Sequence, residues 1–477
     1  MANFWTNMID SGVNYVVGKI APFLQDAMSK AQVVQANYYQ GNHRPTLKIK
    51  PGQVDDNITI NFSGLAIDRS VSRLFKGGLE FVLPQGSDAQ FEYLKKVWDL
   101  NKKEIILYQA GLHGSVYGTG YFKVCPDELI DPFTGKLYPR LIATDPEIIR
   151  IVTKPQDMNE VLYYKIEYQV GNKNYREITR RSVEGEAIND EILDNETWVI
   201  EEWEQTTAGG NLWVLISSAA WPYNFPPIIH WKNLPSLKSC YGKGDIDDAI
   251  GVQDKENFVV SNTGKIIKFH AHPQTIGIGF SVDQAKPVEN AVGSFTAISS
   301  ADAKVFNLEM QSDLASSRSF ALDLRQSIFD IAREVDISSM ADRLGQLTNF
   351  GLQVLWGDAI DKNDTKRQLY GDAILELNRR LLVLAGYEKE ASNPGALQWG
   401  NPLPVDVVSE MQADQMAINM GIIDKETISK KYKYRYGQDW ETIQAKLAEQ
   451  NLAANQNNSD IGSLILRNFN NGVKNSG

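Results

Sequence analysis

The sequence predicts an α+β chain, with helices and strands segregated along its length, and three observations carry that prediction. Between residues 140 and 205 the runs RLIATDPEIIRIVT, EVLYYKIEYQV and ETWVIEEWEQ alternate apolar with polar residues and are rich in β-branched and aromatic side chains, the period-two signature of strands. After Pro235 the alternation gives way to long stretches with apolar residues three and four apart. A proline-rich run, WPYNFPPIIHW at 221–231, marks the change. At 477 residues, with 43% apolar and 22% charged residues, the chain has the make-up of a folded protein of several domains.

The elements follow in order. DDNITINFSGLAIDRSVSRLFKG predicts a helix with apolar positions Ile60, Leu65, Ile67, Val71 and Leu74, stopped by Gly77 and Gly78. DAQFEYLKKVWDLNKKEIILYQAGLHGSVYGTGYFKVCPDE predicts two helices, then a strand at Tyr121–Cys125 behind the glycines Gly114, Gly118 and Gly120. The three alternating runs come next. GDIDDAIGVQDKENFVVSNTGKIIKF predicts a helix of about 25 residues. Its stripe of Ile246, Ile250, Gln253, Asn257, Val260, Gly264 and Ile267 is small and mixed, which suits close approach of a neighbour more than a deep core. Three strand-like pieces then surround Ile278, Ile298 and Phe306.

SDLASSRSFALDLRQSIFDIAREV is helical again, with Ala321, Leu324, Ile328, Ile331 and Val335 on one side and Leu322 and Phe329 on another. A helix apolar on two sides meets two neighbours, so part of its surface is expected to be an interface. GQLTNFGLQVLWGDA follows, flexible and nearly neutral, and feeds a helix from about Gly351 to Ala385, ~50 Å long at 1.5 Å per residue, with a polar middle at Asp361–Gln368. Beyond SNPGALQWGNPLP, VDVVSEMQADQMAINMG is a helix ended by Gly421, IIDKETISKKY starts another with Asp424 as N-cap, and DWETIQAKLAEQNLAANQ is a third. The Asn-rich tail is expected to be mostly disordered, interrupted by an apolar patch at Leu464, Ile465, Leu466 and Phe469. No internal repeat is found.

Chemistry is harder to find. The net charge of −11 argues against tight nucleic-acid binding, because tight binders neutralise phosphates with Lys and Arg. Cys125 and Cys240 are too few and too far apart for a disulfide framework or a metal site. No run approaches the ~18 apolar residues of a membrane span, and the first residues have neither basic leader nor apolar core, so synthesis in a cytosol-like compartment is expected. YGKGD at Tyr241–Asp245 lacks the frame of a phosphate loop and reads as a glycine turn before a helix. GTG at Gly118–Gly120 precedes a strand, the reverse of a dinucleotide site.

The histidines are His43, His113, His230, His270 and His272. His270 and His272 could face one side of a strand edge, yet no Cys or acidic residue stands near enough to complete a metal site. His230 reads as a half-buried strand residue. Asp247–Asp248 and Glu201–Glu202 read as solvated faces, and the tryptophans as core or subunit contacts. The expectation is no enzyme, no cofactor and no metal.

The order of elements is the informative signal: a large α+β part, a helix, a small β insertion, a second helix, a neutral glycine-bearing stretch, a very long helix and a helical end. This order resembles the portal proteins of tailed bacteriophages. NYYQGNHRPTLKIKPGQVDDNITINFSGLAIDRSVSRLFKG is similar to the family's opening, AGLHGSVYGTGYFKV to its helix-to-strand turn, and ATDPEIIRIV to one of its strands. YGKGDIDDAIGVQDKENFVVSNTGKI resembles the start of its first stem helix, and MGIIDKETISKKY its crown. NFGLQVL departs from the Ser-Gly start that many members have in the long helix.

The resemblance implies a portal fold with an α/β wing at 1–240, a first stem helix at 241–269, a clip at 270–311 and a second stem helix at 312–335. A tunnel loop at 336–350 follows, then a long helix and wing return at 351–402, a helical crown at 403–455 and a mostly disordered tail at 456–477. It implies a ring of this chain, commonly of twelve copies in the family, at one capsid vertex of the virion, assembled in the host cytoplasm. Double-stranded DNA would pass through, touched only transiently and without sequence preference, during packaging and ejection. The partners implied are the terminase large subunit, a head–tail adaptor, and the major capsid and scaffolding proteins, with no membrane. Gly345, Gln346, Leu347, Thr348 and Asn349 would face the DNA, and Asp283, Lys286 and Glu289 of the clip would serve docking.

Counting charges over 244–269 and 312–335, both stem helices are net acidic, which predicts a repulsive channel wall. Another ring-forming connector or head–tail adaptor is the alternative, although such chains are usually shorter and lack the helix, β insertion, helix order.

Overall fold

Asn61 opens the first long helix: its side-chain oxygen accepts from Gly64 N at 2.8 Å and caps α1 (Phe62–Leu74). A computed structural model describes residues 33–271 apart from 53, 85, 155, 184, 189, 190, 195, 207–211 and 238, together with 274–278, 295–298, 304–308, 314–340, 349–402, 407–429 and 440–450. The chain divides into two units, Met1–Pro402 and Leu403–Gly477. Mixed helix and sheet make it α+β, as expected from the sequence.

In the first unit α1 leads to β1 (Leu79–Val82), α2 (Asp88–Leu100) and α3 (Lys103–Tyr117). A long β2 (Thr119–Ile130) then pairs with β3 (Leu137–Ala143) and, on its other side, with β11 (Ile228–Lys232). The second sheet is antiparallel, in the order β10-β9-β6-β5-β4, from β4 (Ile149–Thr153), β5 (Val161–Val170), β6 (Lys173–Arg181), β9 (Trp198–Gln205) and β10 (Trp213–Trp221). A small ribbon of β7 (Ala187–Ile188) and β8 (Glu191–Ile192) lies between β6 and β9 in sequence. Tyr121 and Ile228 of the small sheet pack with Ile149, Ile151, Tyr164, Ile166, Trp198 and Trp221 of the large one.

Two helices of the later chain form an arm. They are α4 (Ile250–Ala271) and α5 (Leu314–Ile331), which pack on each other. Between them β12 (Gln274–Ile278) pairs in parallel with β13 (Phe295–Ile298) and antiparallel with β14 (Lys304–Leu308), the three strands expected there. The long helix follows. It was expected as one piece from about Gly351, but it breaks at Trp356 into α6 (Asn349–Leu355) and α7 (Gly357–Leu384).

Tyr370, Ile374, Leu377 and Leu381 of α7 are buried at helical spacing against Leu94 and Trp98 of α2, Ile106 and Leu107 of α3, and Phe122 and Trp231 of the small sheet. Each such aliphatic side chain contributes ~1.5–3 kcal/mol. Finally β15 (Ala396–Trp399) pairs antiparallel with β1.

Two departures have clear causes. β6 escaped the strand pattern because it is charged on both faces; its charges are paired, Arg176 with Glu167 of the neighbouring strand at 2.6 Å and the buried Glu177 with Lys123 of the small sheet at 2.7 Å. α1 starts later than its pattern suggested: Ile60 precedes it and Leu65 is exposed, while Ile67, Val71 and Leu74 are buried.

In the second unit α8 (Val407–Asn419) ends before Gly421, whose φ is +71°, and Asp424 caps the next turn by accepting from Thr427 N at 2.7 Å, both as expected. Residues 440–450 are helical. The tail 456–477 and its apolar patch lie outside the described residues.

Candidate functional site

The arm is held along its length by an extended segment that precedes α1. Gln253, Asn257 and Ser261 stand four apart on α4, fully buried, and act as a ladder for main chain. Ser261 Oγ accepts from Ile58 N at 2.8 Å, Asn257 Oδ1 accepts from Ile60 N at 3.0 Å, and Gln253 Oε1 accepts from Ser63 N at 3.1 Å. Gln253 Nε2 also donates to Ile60 O at 2.9 Å. Lys268 reaches Asp56 at 2.8 Å, and Tyr38 donates to Asp254. This explains the mixed stripe: a chain that lays backbone along a helix needs amides and hydroxyls there, because buried N–H and C=O groups must be paired. The stripe is more polar than expected, since Ile267 is exposed and Ser261 takes a buried place.

At the root of the arm lies a buried ionic cluster. The YGKGD turn docks on the GTG turn, where each glycine is required: a Cβ on Gly242 would lie 2.3 Å from Gly118 O, and Gly118 sits at φ +77°. That docking delivers Asp245, whose N donates to Ser115 O at 2.8 Å. Lys366 Nζ of α7 donates to Asp245 Oδ2 at 2.9 Å, Ser115 Oγ at 2.7 Å and Ser70 Oγ at 3.2 Å. Lys362, one turn earlier, lies 3.4 Å from both Asp245 and Glu334 and donates to Ala332 O at 2.7 Å. Arg73 of α1 grips Glu334 with two bonds, at 3.1 and 2.5 Å. Asn233 donates to Asp245 at 3.0 Å and accepts from Tyr370 at 2.9 Å.

Burial would raise the Asp245 carboxyl, but Lys362 and Lys366 beside it outweigh that and hold it well below the usual carboxylate range. Burial pushes Lys366 down to about 8, with Asp245 resisting. The start of α4, the exit from α5 and the N-terminal half of α7 are thus tied to one point.

Of the residues expected to face DNA, Gly345, Gln346, Leu347 and Thr348 lie outside the described residues, as do the clip residues Asp283, Lys286 and Glu289. Asn349 is the first residue of α6. His270 lies in the last turn of α4, not on a strand edge, and His272 lies outside the described residues. His230 is a half-buried residue of β11, bonded to Thr119 Oγ1 at 2.7 Å and pushed down to about 3 by burial, with Lys232 adding to the effect. Glu201 does not lie on a solvated face: it is buried and accepts from Arg180 at 2.5 Å and Trp203 at 3.0 Å, while Glu202 is exposed. Asp247 is half-buried and accepts from Gln35 at 2.5 Å.

Several carboxylates counted toward the expected acidic wall are engaged within the chain. Asp245 and Glu334 are buried in the cluster, Asp254 accepts from Tyr38, Asp248 pairs with Lys243, and Glu256 is buried. Burial pushes Glu256 up to about 7. On α5 and the turn that follows it, Asp323 and Asp330 are exposed alongside Arg318 and Arg333, so acid and base balance there. A tally by sequence counted Asp245, Glu256 and Glu334, which the fold buries.

The residues that sequence reasoning passed over are Lys362 and Lys366. The signal was there: they continue, at spacings of four, the stripe of Tyr370, Ile374 and Leu377. A lysine on an apolar face is either misplaced or paired.

Among the described residues no group of His, Cys, Asp and Glu is placed to hold a metal ion, and no helix is long and apolar enough to cross a membrane. No curated protein gives a match to this chain. A family model described as phage portal protein, SPP1 Gp6-like, matches residues 32–453, from the segment that laces α4 to the helical second unit. The match spans the arm, its ionic root and the long helix alike, and the chain belongs to the SPP1 Gp6-like phage portal proteins, a structural family rather than an enzymatic one.

Proposed function

We propose that this chain forms the portal ring at one capsid vertex, the channel through which double-stranded DNA is packaged and later ejected. The observation that carries the reading is the arm: two helices bearing a three-stranded sheet, rooted through one ionic cluster to a long helix, within a chain of the portal family. In this reading residues 1–240 are the wing, 241–269 and 312–335 the stem helices, 270–311 the clip, 336–350 the tunnel loop, 351–402 the long helix and wing return, and 403–455 the crown.

Two properties of the arm support ring packing. Phe320 and Leu322 of α5 and Phe258 and Ile267 of α4 are exposed, while Ile328 and Phe329 are buried at the root. Exposed apolar positions on an arm that is already paired within the chain suit contact with the next copy, a heterologous interface that closes by rotation. The clip would dock the terminase large subunit during packaging and the head–tail adaptor afterwards; capsid and scaffolding proteins would surround the ring.

Negative-stain images and the mass of the purified protein test this directly. A ring of several hundred kilodaltons with a central hole is expected, one that hydrolyses no ATP by itself yet is required for packaging by the cognate terminase. A purified monomer, or robust nucleotide hydrolysis by the isolated ring, would overturn the reading.

The loop reading makes a second prediction. Gln346, Thr348 and Asn349 would make weak, exchangeable phosphate contacts. Changing all three to Lys is expected to leave ring assembly intact and slow packaging several-fold at low salt. The effect should fade as the Debye length shrinks from about 10 Å at 0.1 M to about 3 Å at 1 M. A wild-type rate at low salt would show that these residues do not face DNA.

A further inference from the structure

Arg73 is where three separate segments meet. Its two terminal nitrogens hold the Glu334 carboxylate, and its guanidinium carbon lies 4.6 Å from the ring centroid of Trp356. Glu334 stands just past α5, and Trp356 is the break between α6 and α7. The two residues therefore flank the segment 335–355, and one side chain of α1 holds both flanks.

The exit from α5 is shaped for this. Arg333 sits at φ +51°, in the left-handed region that favours glycine, and Glu334 N donates to Phe329 O at 2.8 Å. That turn brings Glu334 back to Arg73. Arginine suits the task because its planar fork offers an edge to a carboxylate and a face to an aromatic ring at once, which lysine cannot do.

We infer that Arg73 is a positioning residue that couples the two ends of segment 335–355, so that the second arm helix and the long helix move together. Its consequence for DNA passage rests on the reading of that segment as the tunnel loop. The coupling itself does not.

The test uses assembled full-length rings. Arg73→Lys keeps the cluster's charge and removes the shared geometry. Amide exchange is expected to quicken together over residues 336–340 and 349–356, by about tenfold, as expected for a lost local contact. Trp356→Leu should do the same, and the informative side is the far one, 336–340, which Trp356 does not adjoin in sequence. The double variant should exchange no faster than either single variant. Trp356→Phe keeps a ring for the guanidinium and should restore slow exchange.

Loosening confined to the mutated side, or effects that multiply in the double variant, would overturn the coupling. If Arg73→Lys rings fail to assemble, the Leu and Phe variants at 356 decide the question alone. Both coupling variants should also slow packaging. Loosening on both sides with packaging at the wild-type rate would uphold the coupling and overturn the placement of the loop beside DNA.

Discussion

Asp245→Asn is expected to cost ~3–5 kcal/mol and to leave little soluble ring, whereas Lys366→Met should cost far less. Three cations, Arg73, Lys362 and Lys366, share the buried cluster with two carboxylates, Asp245 and Glu334. Removing Asp245's charge leaves three cations against Glu334 alone. Removing Lys366's leaves two against two, and the Ser70 and Ser115 hydroxyls near it can still find partners.

The pH dependence follows the same signs. Asp245's folded pKa is depressed, so its contribution is fully present above its unfolded pKa, about 3.9, and is lost as pH falls through the lower folded value. Lys366's is depressed to about 8 from 10.5, so between those values the unfolded chain holds more protons and this group's contribution to stability rises with pH. Lys366→Met should abolish that alkaline gain while keeping the acid loss. Denaturant midpoints of the two variants across pH decide the matter, and equal midpoints at neutral pH would refute the charge account.

That cluster also marks where sequence reading reached its limit. Helix and strand periodicity exposed most of the architecture of the first unit, because burial on one face leaves a pattern along the chain, and the three strands between α4 and α5 stand where their sequence pattern put them. The stripe on α4 was visible too, but Gln253 and Asn257 could not announce that their partner is backbone from residues 58–63, some 190 residues earlier in sequence. Charge was the weakest guide. Asp245 and Glu334 entered the sequence reading only as a charge count and Lys366 only as part of a polar stretch, because ionised groups are rarely buried unless paired, and pairing is a property of tertiary structure. The charge count behind the expected acidic wall had the same limit. Family resemblance filled the gap that local chemistry left, because the order of elements survives where individual motifs are weak.

Replacing Gln274–Asn307 with a short glycine linker is expected to abolish packaging, by blocking terminase docking or ring closure, without unfolding the rest of the chain. The excised part is a small mixed sheet. β12 and β13 are parallel neighbours, and the sequence between them, 279–294, lies outside the described residues. The expected docking residues Asp283, Lys286 and Glu289 fall in that stretch of sequence.

Strands this short, with little apolar content in their sequence, suit a small module that borrows neighbours to complete its core. The arm does not depend on it. α4 keeps its ladder to residues 58–63, and both roots keep the Asp245 and Glu334 anchors. The deletion should therefore leave the unfolding midpoint of the first unit within a few degrees of wild type while terminase binding or ring formation is lost. A deleted chain that packages DNA normally would show that docking resides elsewhere. One that fails to fold would show that the sheet supports the arm and not only its partners.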